Sequence, residues 1–193
     1  MINKWIYSEL SEEQNEIKNN LANELSISPI LSQLLVQRGI STYDEARSFF
    51  RPDLNDLHDP FLMKDMDRAV DRLTMAMQQN EKILVYGDYD VDGTTSVSLV
   101  YRFLIKFYSN LDFYIPDRYI EGYGISKKGI DYAHENNFKL IIALDCGIKA
   151  VEKVKYAKSL GIDFIICDHH NPDDELPPAV AVLDTKRTDC TYP

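Results

Sequence analysis

The chain has 193 residues, 45% of them hydrophobic and 27% charged, which supplies a buried core and excludes a disordered or low-complexity chain. Its formal net charge of −10 argues against a general polyanion-binding surface, because phosphate contacts normally come from Lys and Arg. Cys146, Cys167 and Cys190 are odd in number without metal-type Cys-x-x-Cys spacing, and no apolar run approaches the ~18 residues of a membrane span, so a reduced, cytoplasmic setting is expected.

The amino-terminal residues 1–5 lead into a polar, acidic segment without the apolar centre of a signal peptide. Residues 11–58 read as helical. Ser11 with Gln14 forms a capping box, Ser28-Pro29 starts a second helix that Gly39 closes, and Thr42 with Glu45 caps a third. Packing of this small appendage is expected through Ile30, Leu31, Leu34, Leu35, Phe49 and Phe50. The loop at 55–65, carrying Pro60, is the expected boundary between a helical segment 1–60 and an α/β domain 61–193.

Beyond it Met66, Ala69, Val70, Leu73 and Met77 recur at helical spacing. The pattern then alternates: strands at 83–86, 113–115, 140–144 and 164–167, helices near 95–107, 126–136 and 150–160, and a final apolar run at 180–183. Such alternation implies right-handed crossovers and a parallel sheet. The expected fold is α/β, a doubly wound parallel sheet flanked by helices over residues 66–186, with the helical amino-terminal appendage.

The stretch Gly87-Asp88-Tyr89-Asp90-Val91-Asp92-Gly93-Thr94 follows the first strand and puts three carboxylates at alternate positions. Like charges this close raise one another's pKa unless a cation neutralises them. An EF-hand is excluded, because position 12 of that loop falls on Leu99 where a bidentate Glu is required. The Asp-x-Asp-x-Thr pattern of haloacid-dehalogenase-type phosphatases fits Asp90, Asp92 and Thr94 and stays open.

Three more strands are each followed by a polar group: Asp117-Arg118 with Glu121-Gly122-Tyr123-Gly124, then Asp145-Cys146-Gly147, then Asp168-His169-His170. A parallel sheet brings all four groups to one edge. Each has a bland reading: Asp168 as a turn cap, Arg118 paired with Asp117, Gly122 and Gly124 as a flexible turn. Together, oxygen ligands with one or two imidazoles suit two manganese or magnesium ions, with Asp145 as bridge, and phosphodiester hydrolysis as the reaction class. Neighbouring His side chains diverge, so His169 is the expected ligand and His170 a phosphate contact; Arg118 suits a scissile phosphate.

Taken in order, these four motifs resemble those of the DHH phosphoesterases, in the version found in bacterial single-strand-specific DNA exonucleases. The resemblance implies that Asp88, Asp90, Asp92, Asp145 and His169 bind manganese or magnesium and that His170 lies beside the scissile phosphate. It implies removal of nucleotides from the 5′ end of single-stranded DNA in recombination and repair, with a helicase or a single-strand-binding protein as partner. Alternatives within reach are a phosphodiesterase acting on short oligonucleotides or cyclic dinucleotides, and a non-catalytic replication or repair scaffold. The family's further metal-binding Asp, second cleft domain and DNA-binding domain are expected past Pro193, so the chain reads as an amino-terminal fragment, inactive alone and able to self-associate through an exposed sheet edge.

Overall fold

Polar caps set the three amino-terminal helices. Ser11 and Gln14 exchange side-chain and backbone hydrogen bonds at the start of α1 (Glu12–Leu25), Thr42 and Glu45 do the same for α3 (Tyr43–Phe50), and Ser28 accepts from the Leu31 N–H at the start of α2 (Pro29–Val36). The computed structural model describes Ile6 and residues 8–193, and the chain divides into two compact units, Met1–Leu57 and His58–Pro193. The polar lead at residues 1–5 lies outside the described residues.

The core of the first unit differs from the expected one. Leu35 is buried, but Ile30 is 73% exposed, Phe49 and Phe50 are more than half exposed, and Leu31 and Leu34 only partly covered. The buried side chains are Leu21, Ser32, Leu35, Val36 and Ala46. In α2 these stand at i, i+3 and i+4, the one stripe that a two-turn helix can turn inward; residues 30, 31 and 34 fall on the adjoining stripe.

In the second unit α4 (Met66–Gln78) precedes β1 (Lys82–Gly87), α5 (Val91–Leu104), β2 (Leu111–Tyr114), α6 (Lys127–Glu135), β3 (Phe138–Leu144), α7 (Val151–Ser159), β4 (Asp163–Cys167) and β5 (Ala181–Leu183). The five strands are all parallel, in the order β2-β1-β3-β4-β5. Successive strand residues feed opposite faces. Leu84 and Tyr86 join Ile141, Ala143, Phe164 and Ile166 under α6 and α7, whereas Ile83 and Val85 join Leu140, Ile142 and Ile165 under α4 and α5. Both faces are covered, as in a doubly wound fold, and the order reverses between β1 and β3, which opens a crevice at their carboxyl ends.

One boundary moves in a way that matters. The helix expected near residue 95 begins at Val91, with Asp90 as its N-cap accepting from the Gly93 N–H at 3.0 Å. Asp92 therefore sits in a first helical turn, where free N–H groups and the helix dipole favour a carboxylate. Among the described residues no helix is long and apolar enough to cross a membrane.

The segment after β5 is tied back to the start of α4 by Arg187, only 7% exposed. Its guanidinium donates to Asp65 Oδ2 at 2.6 Å, to the Val182 carbonyl at 2.6 Å and to both oxygens of Asp189. Burial alone raises the Asp65 carboxyl, but the Arg187 and Val182 hydrogen bonds outweigh it and leave the pKa below 3.8. A carboxyl depressed by folding contributes stability that is present above its unfolded pKa and is lost as pH falls through the folded one. Arg187→Met should therefore cost about 2–4 kcal/mol at neutral pH, since it strands Asp65 without its partner. Urea titrations at pH 7 and near pH 3 should show this deficit shrink at the lower pH, where the wild-type pair is lost too; a deficit independent of pH would mean that packing, not charge, holds the segment.

Candidate active site

The first carboxylate group is fixed by a close approach of backbone to backbone. A Cβ on Gly93 would lie 2.4 Å from the Asp88 carbonyl oxygen and 2.7 Å from its nitrogen, so the first turn of α5 rests directly on the end of β1. Asp88 is completely buried there. Its Oδ1 accepts from the Gly124 N–H at 3.3 Å, and its Oδ2 is buried with no hydrogen-bond partner among the described residues. An orphaned carboxylate oxygen in a dry setting is costly unless something outside the protein's own donors meets it.

The loop that supplies Gly124 is held from below. Buried Tyr86 donates its hydroxyl to the Gly124 carbonyl and accepts from the Ser126 N–H, both at 3.0 Å. Glu121 accepts from the Asp117 N–H, from Tyr114 Oη and from Ser126 Oγ. What reads in the sequence as a flexible Gly-Tyr-Gly turn is thus a fastened loop, with Gly122 and Gly124 at φ +80° and +77° where side chains are disfavoured.

Asp145 and Asp168 end β3 and β4 with opposite electrostatics. Asp145 adopts a left-handed backbone, φ 58°, and its N–H donates to the Cys167 carbonyl at 2.9 Å. Burial raises its carboxyl, neighbouring Asp90 raises it further, and His169 and His170 only partly offset this. Asp168 is buried as well, but it accepts from the N–H groups of Ile148, His169 and His170 and lies 2.7 Å from His170 Nδ1. Burial pushes the Asp168 carboxyl up, yet these bonds prevail and leave it lowered. The same contact raises His170, so the imidazole presents Nε2 outward with Nδ1 on the carboxylate.

The structure brings one ligand atom each of Asp145, His169 and His170 within 4.8 Å of one another, with His169 Nε2 at 3.0 Å from Asp145 Oδ1. Asp88, Asp90 and Asp92 stand on the same sheet edge, and Asp90 and Asp92 both act on the Asp145 carboxyl. Asp168 serves as the acceptor that shapes the turn. Arg118 makes no ion pair with Asp117, whose Oδ1 caps the Tyr119 and Ile120 N–H groups instead. Its guanidinium carbon stands 5.3 Å over the Tyr89 ring. Thr94, the third element of the haloacid-dehalogenase pattern, donates its hydroxyl to the Asp90 carbonyl at 2.6 Å and so belongs to the helix start.

Two aromatic residues were not singled out by sequence reasoning. Tyr89 meets Tyr123 edge to face at 6.1 Å, and Tyr123 meets His170 the same way at 6.2 Å, with Tyr123 Oη 3.2 Å from His170 Nε2. Arg118, Tyr89, Tyr123 and His170 thus form one wall of the crevice. Burial and the fields of Asp88, Asp145, Asp90 and Asp168 push the Tyr123 phenol up to about 12, which keeps it neutral. The only sequence signal for this wall is the interleaving of Tyr with the acidic and glycine positions.

Because Gly93 abuts the Asp88 backbone, Gly93→Ala should force the two segments apart. The expected loss is about 1–3 kcal/mol, the range for overpacking. A thermal melt that matches wild type would show that the α5 start is free to shift.

Comparison with known proteins places these features in a group. The chain is 46% identical over 181 residues to the single-stranded-DNA-specific exonuclease RecJ of Bacillus subtilis, covering 94% of this chain and 23% of that protein. It is 35% identical over 167 residues to RecJ of Escherichia coli, covering 86% of this chain and 28% of that protein. The chain thus spans about a quarter of the length of the curated relatives it matches. Among solved structures, exonuclease RecJ bound to manganese superposes with a TM-score of 0.62 at 28% identity over 69% of this chain and 34% of that one. RecJ of Thermus thermophilus in complex with Mn2+ gives 0.67 at 22% identity over 91% of this chain and 24% of that one, a likeness of fold. Residues 82–191, more than half of the chain, match the model for the N-terminal domain of the DHH family, and the chain belongs to that family.

Proposed function

We propose that residues 61–193 act as one domain forming the metal-binding wall of a phosphoesterase cleft, with residues 1–60 as a helical appendage, in a protein that removes nucleotides from the 5′ end of single-stranded DNA. What supports this reading is the approach of ligand atoms of Asp145, His169 and His170 to within 4.8 Å of one another, with Asp88, Asp90 and Asp92 at the same sheet edge and an Asp88 oxygen buried without a hydrogen-bond partner among the described residues. A set of carboxylate oxygens with one imidazole nitrogen suits manganese or magnesium. When bound, two such cations supply charge neutralisation at phosphorus and a lowered pKa for an attacking water.

The chain's own residues then have distinct tasks. Arg118 offers a planar cation to the phosphate from the tyrosine wall. His170, oriented by Asp168 through Nδ1, holds its Nε2 beside the position of the scissile phosphate, with Tyr123 Oη as its neighbour. Buried Asp88 and the α5 start fix the two remaining carboxylates in place. At a net charge of −10 the DNA contact is local rather than spread over the surface. Delivery of the strand by a helicase or a single-strand-binding protein fits that charge balance. The same balance favours a second reading, hydrolysis of short oligonucleotides or cyclic dinucleotides, which bring fewer phosphates to an acidic surface. Self-association is proposed through the β2 edge, where Phe113 is half exposed.

Calorimetric titration of the chain with manganese tests the donor set. Asp145→Ala should weaken binding, and in a protein of the relatives' full length carrying these residues it should slow digestion of labelled single-stranded DNA by more than about tenfold, a barrier change of ~1.4 kcal/mol. Retention of most of the rate would remove Asp145 from the chemistry. Arg118→Ala should leave manganese affinity intact and weaken substrate use; if it leaves both unchanged, the residue has no phosphate role.

A further inference from the structure

Over β3, β4 and β5 the sheet is covered less completely on the side of α4 and α5 than on the side of α6 and α7. Ile141, Ala143 and Ile166 are fully buried under α6 and α7, whereas on the other face Ile142 and Leu144 each keep 5% of their surface and Leu183 is only partly buried. A groove of about 490 Å³ lies there. Its walls are Val70 and Leu73 of α4 and Leu99 and Phe103 of α5, with Ile142 and Leu144 as floor, and every residue lining it is apolar. Leu99 and Phe103 stand one turn apart and are 71% and 57% exposed. Phe107, whose ring meets that of Phe103 at 5.3 Å, extends the stripe.

The volume would suit a small ligand, but such sites place a few polar groups to orient what they hold, and this groove has none. Apolar surface of this kind is met by protein, and interfaces that are apolar throughout belong to permanent contacts rather than transient ones. Two observations favour a cover from the same polypeptide. The chain spans about a quarter of the length of its curated relatives, so a protein of that length has ample sequence to supply one. Met66 lines the groove, and Arg187 ties the segment that follows β5 to Asp65, the residue before it. Sequence leaving β5 is thereby carried to a wall of the groove, where a tethered element competes with free partners at an effective concentration in the mM range, about that of a short flexible linker.

We propose that, in a protein of the relatives' length, the groove between α4 and α5 seats an amphipathic helix of the same polypeptide, drawn from sequence outside these 193 residues. From Met66 to Leu73 the α4 wall runs for about 10 Å at ~1.5 Å per residue, so two to three turns of helix fill the groove. The seat is independent of the phosphoesterase reading, since it stands whether or not the crevice binds cations.

The test compares the 193-residue chain with a protein of the relatives' length that carries it. Leu99→Cys should react with a maleimide freely in the chain and at least about tenfold more slowly in the longer protein, as for a site exposed only by local opening. Leu99→Lys combined with Phe103→Lys should move the melting temperature of the chain by less than ~2 °C and lower that of the longer protein by more than about 5 °C. Benzoylphenylalanine at position 103 should cross-link within one molecule, to a segment with apolar residues at helical spacing. The proposal is overturned if Leu99→Cys reacts equally fast in both proteins, which would leave the groove open. It is overturned as well if the reaction in the chain alone slows as its concentration rises, or if the cross-link joins two molecules, since either result would seat a second copy there. Manganese titration reports on the phosphoesterase reading separately, so loss of one result leaves the other standing.

Discussion

Carboxylates held together against their own repulsion are the constraint around which the second unit is built. Asp88, Asp90, Asp92, Asp145 and Asp168 all end strands or start a helix at one edge of the sheet. Nothing in local sequence makes such a gathering favourable. It is enforced by a sheet whose strands are buried on both faces and whose order reverses between β1 and β3. The contact of Gly93 with the Asp88 backbone is the narrowest part of that arrangement, since no side chain fits between them.

The carboxylates are not equivalent, and the difference is set by hydrogen bonds rather than by exposure. Asp145 and Asp168 are both buried, yet burial and Asp90 raise the first while backbone N–H groups and His170 lower the second. Asp168 is therefore satisfied within the protein and acts as a fixed anchor for His170 and for the Ile148 backbone. Asp145, raised despite His169 Nε2 at 3.0 Å, and the orphaned oxygen of Asp88 are the groups that a cation would relieve. The same Asp168 that orients His170 toward the crevice also accepts from the Ile148 N–H, so one carboxylate positions both segments.

A second layer of support lies under the site. Tyr86 and Glu121 fasten the Gly124 loop from within the sheet, and Arg187 closes the segment after β5 onto Asp65. Tyr86 and Arg187 are buried polar groups that reach partners far away in sequence, Gly124 and Asp65, while Glu121 closes its own loop through Tyr114, Asp117 and Ser126, and together they give the loops fixed geometry without regular structure.

Legible in the sequence are the helix caps, the alternation of strands and helices, the parallel sheet and the appearance of acidic groups after its strands. These are local matters: capping boxes such as Ser11 with Gln14 span four residues, and strand runs such as 140–144 declare burial on both faces. The sequence also carried Asp145, His169 and His170 as one cluster, because a parallel sheet sends every strand end to the same edge. Tertiary structure alone decided that Asp90 caps a helix, that Asp168 is an anchor, that Tyr89 and Tyr123 stand between Arg118 and His170, and that Ile30, Phe49 and Phe50 stay outside the appendage's core. These outcomes depend on which groups meet across separations of tens of residues, on strand register and on the single stripe a short helix can bury, and no local pattern encodes them.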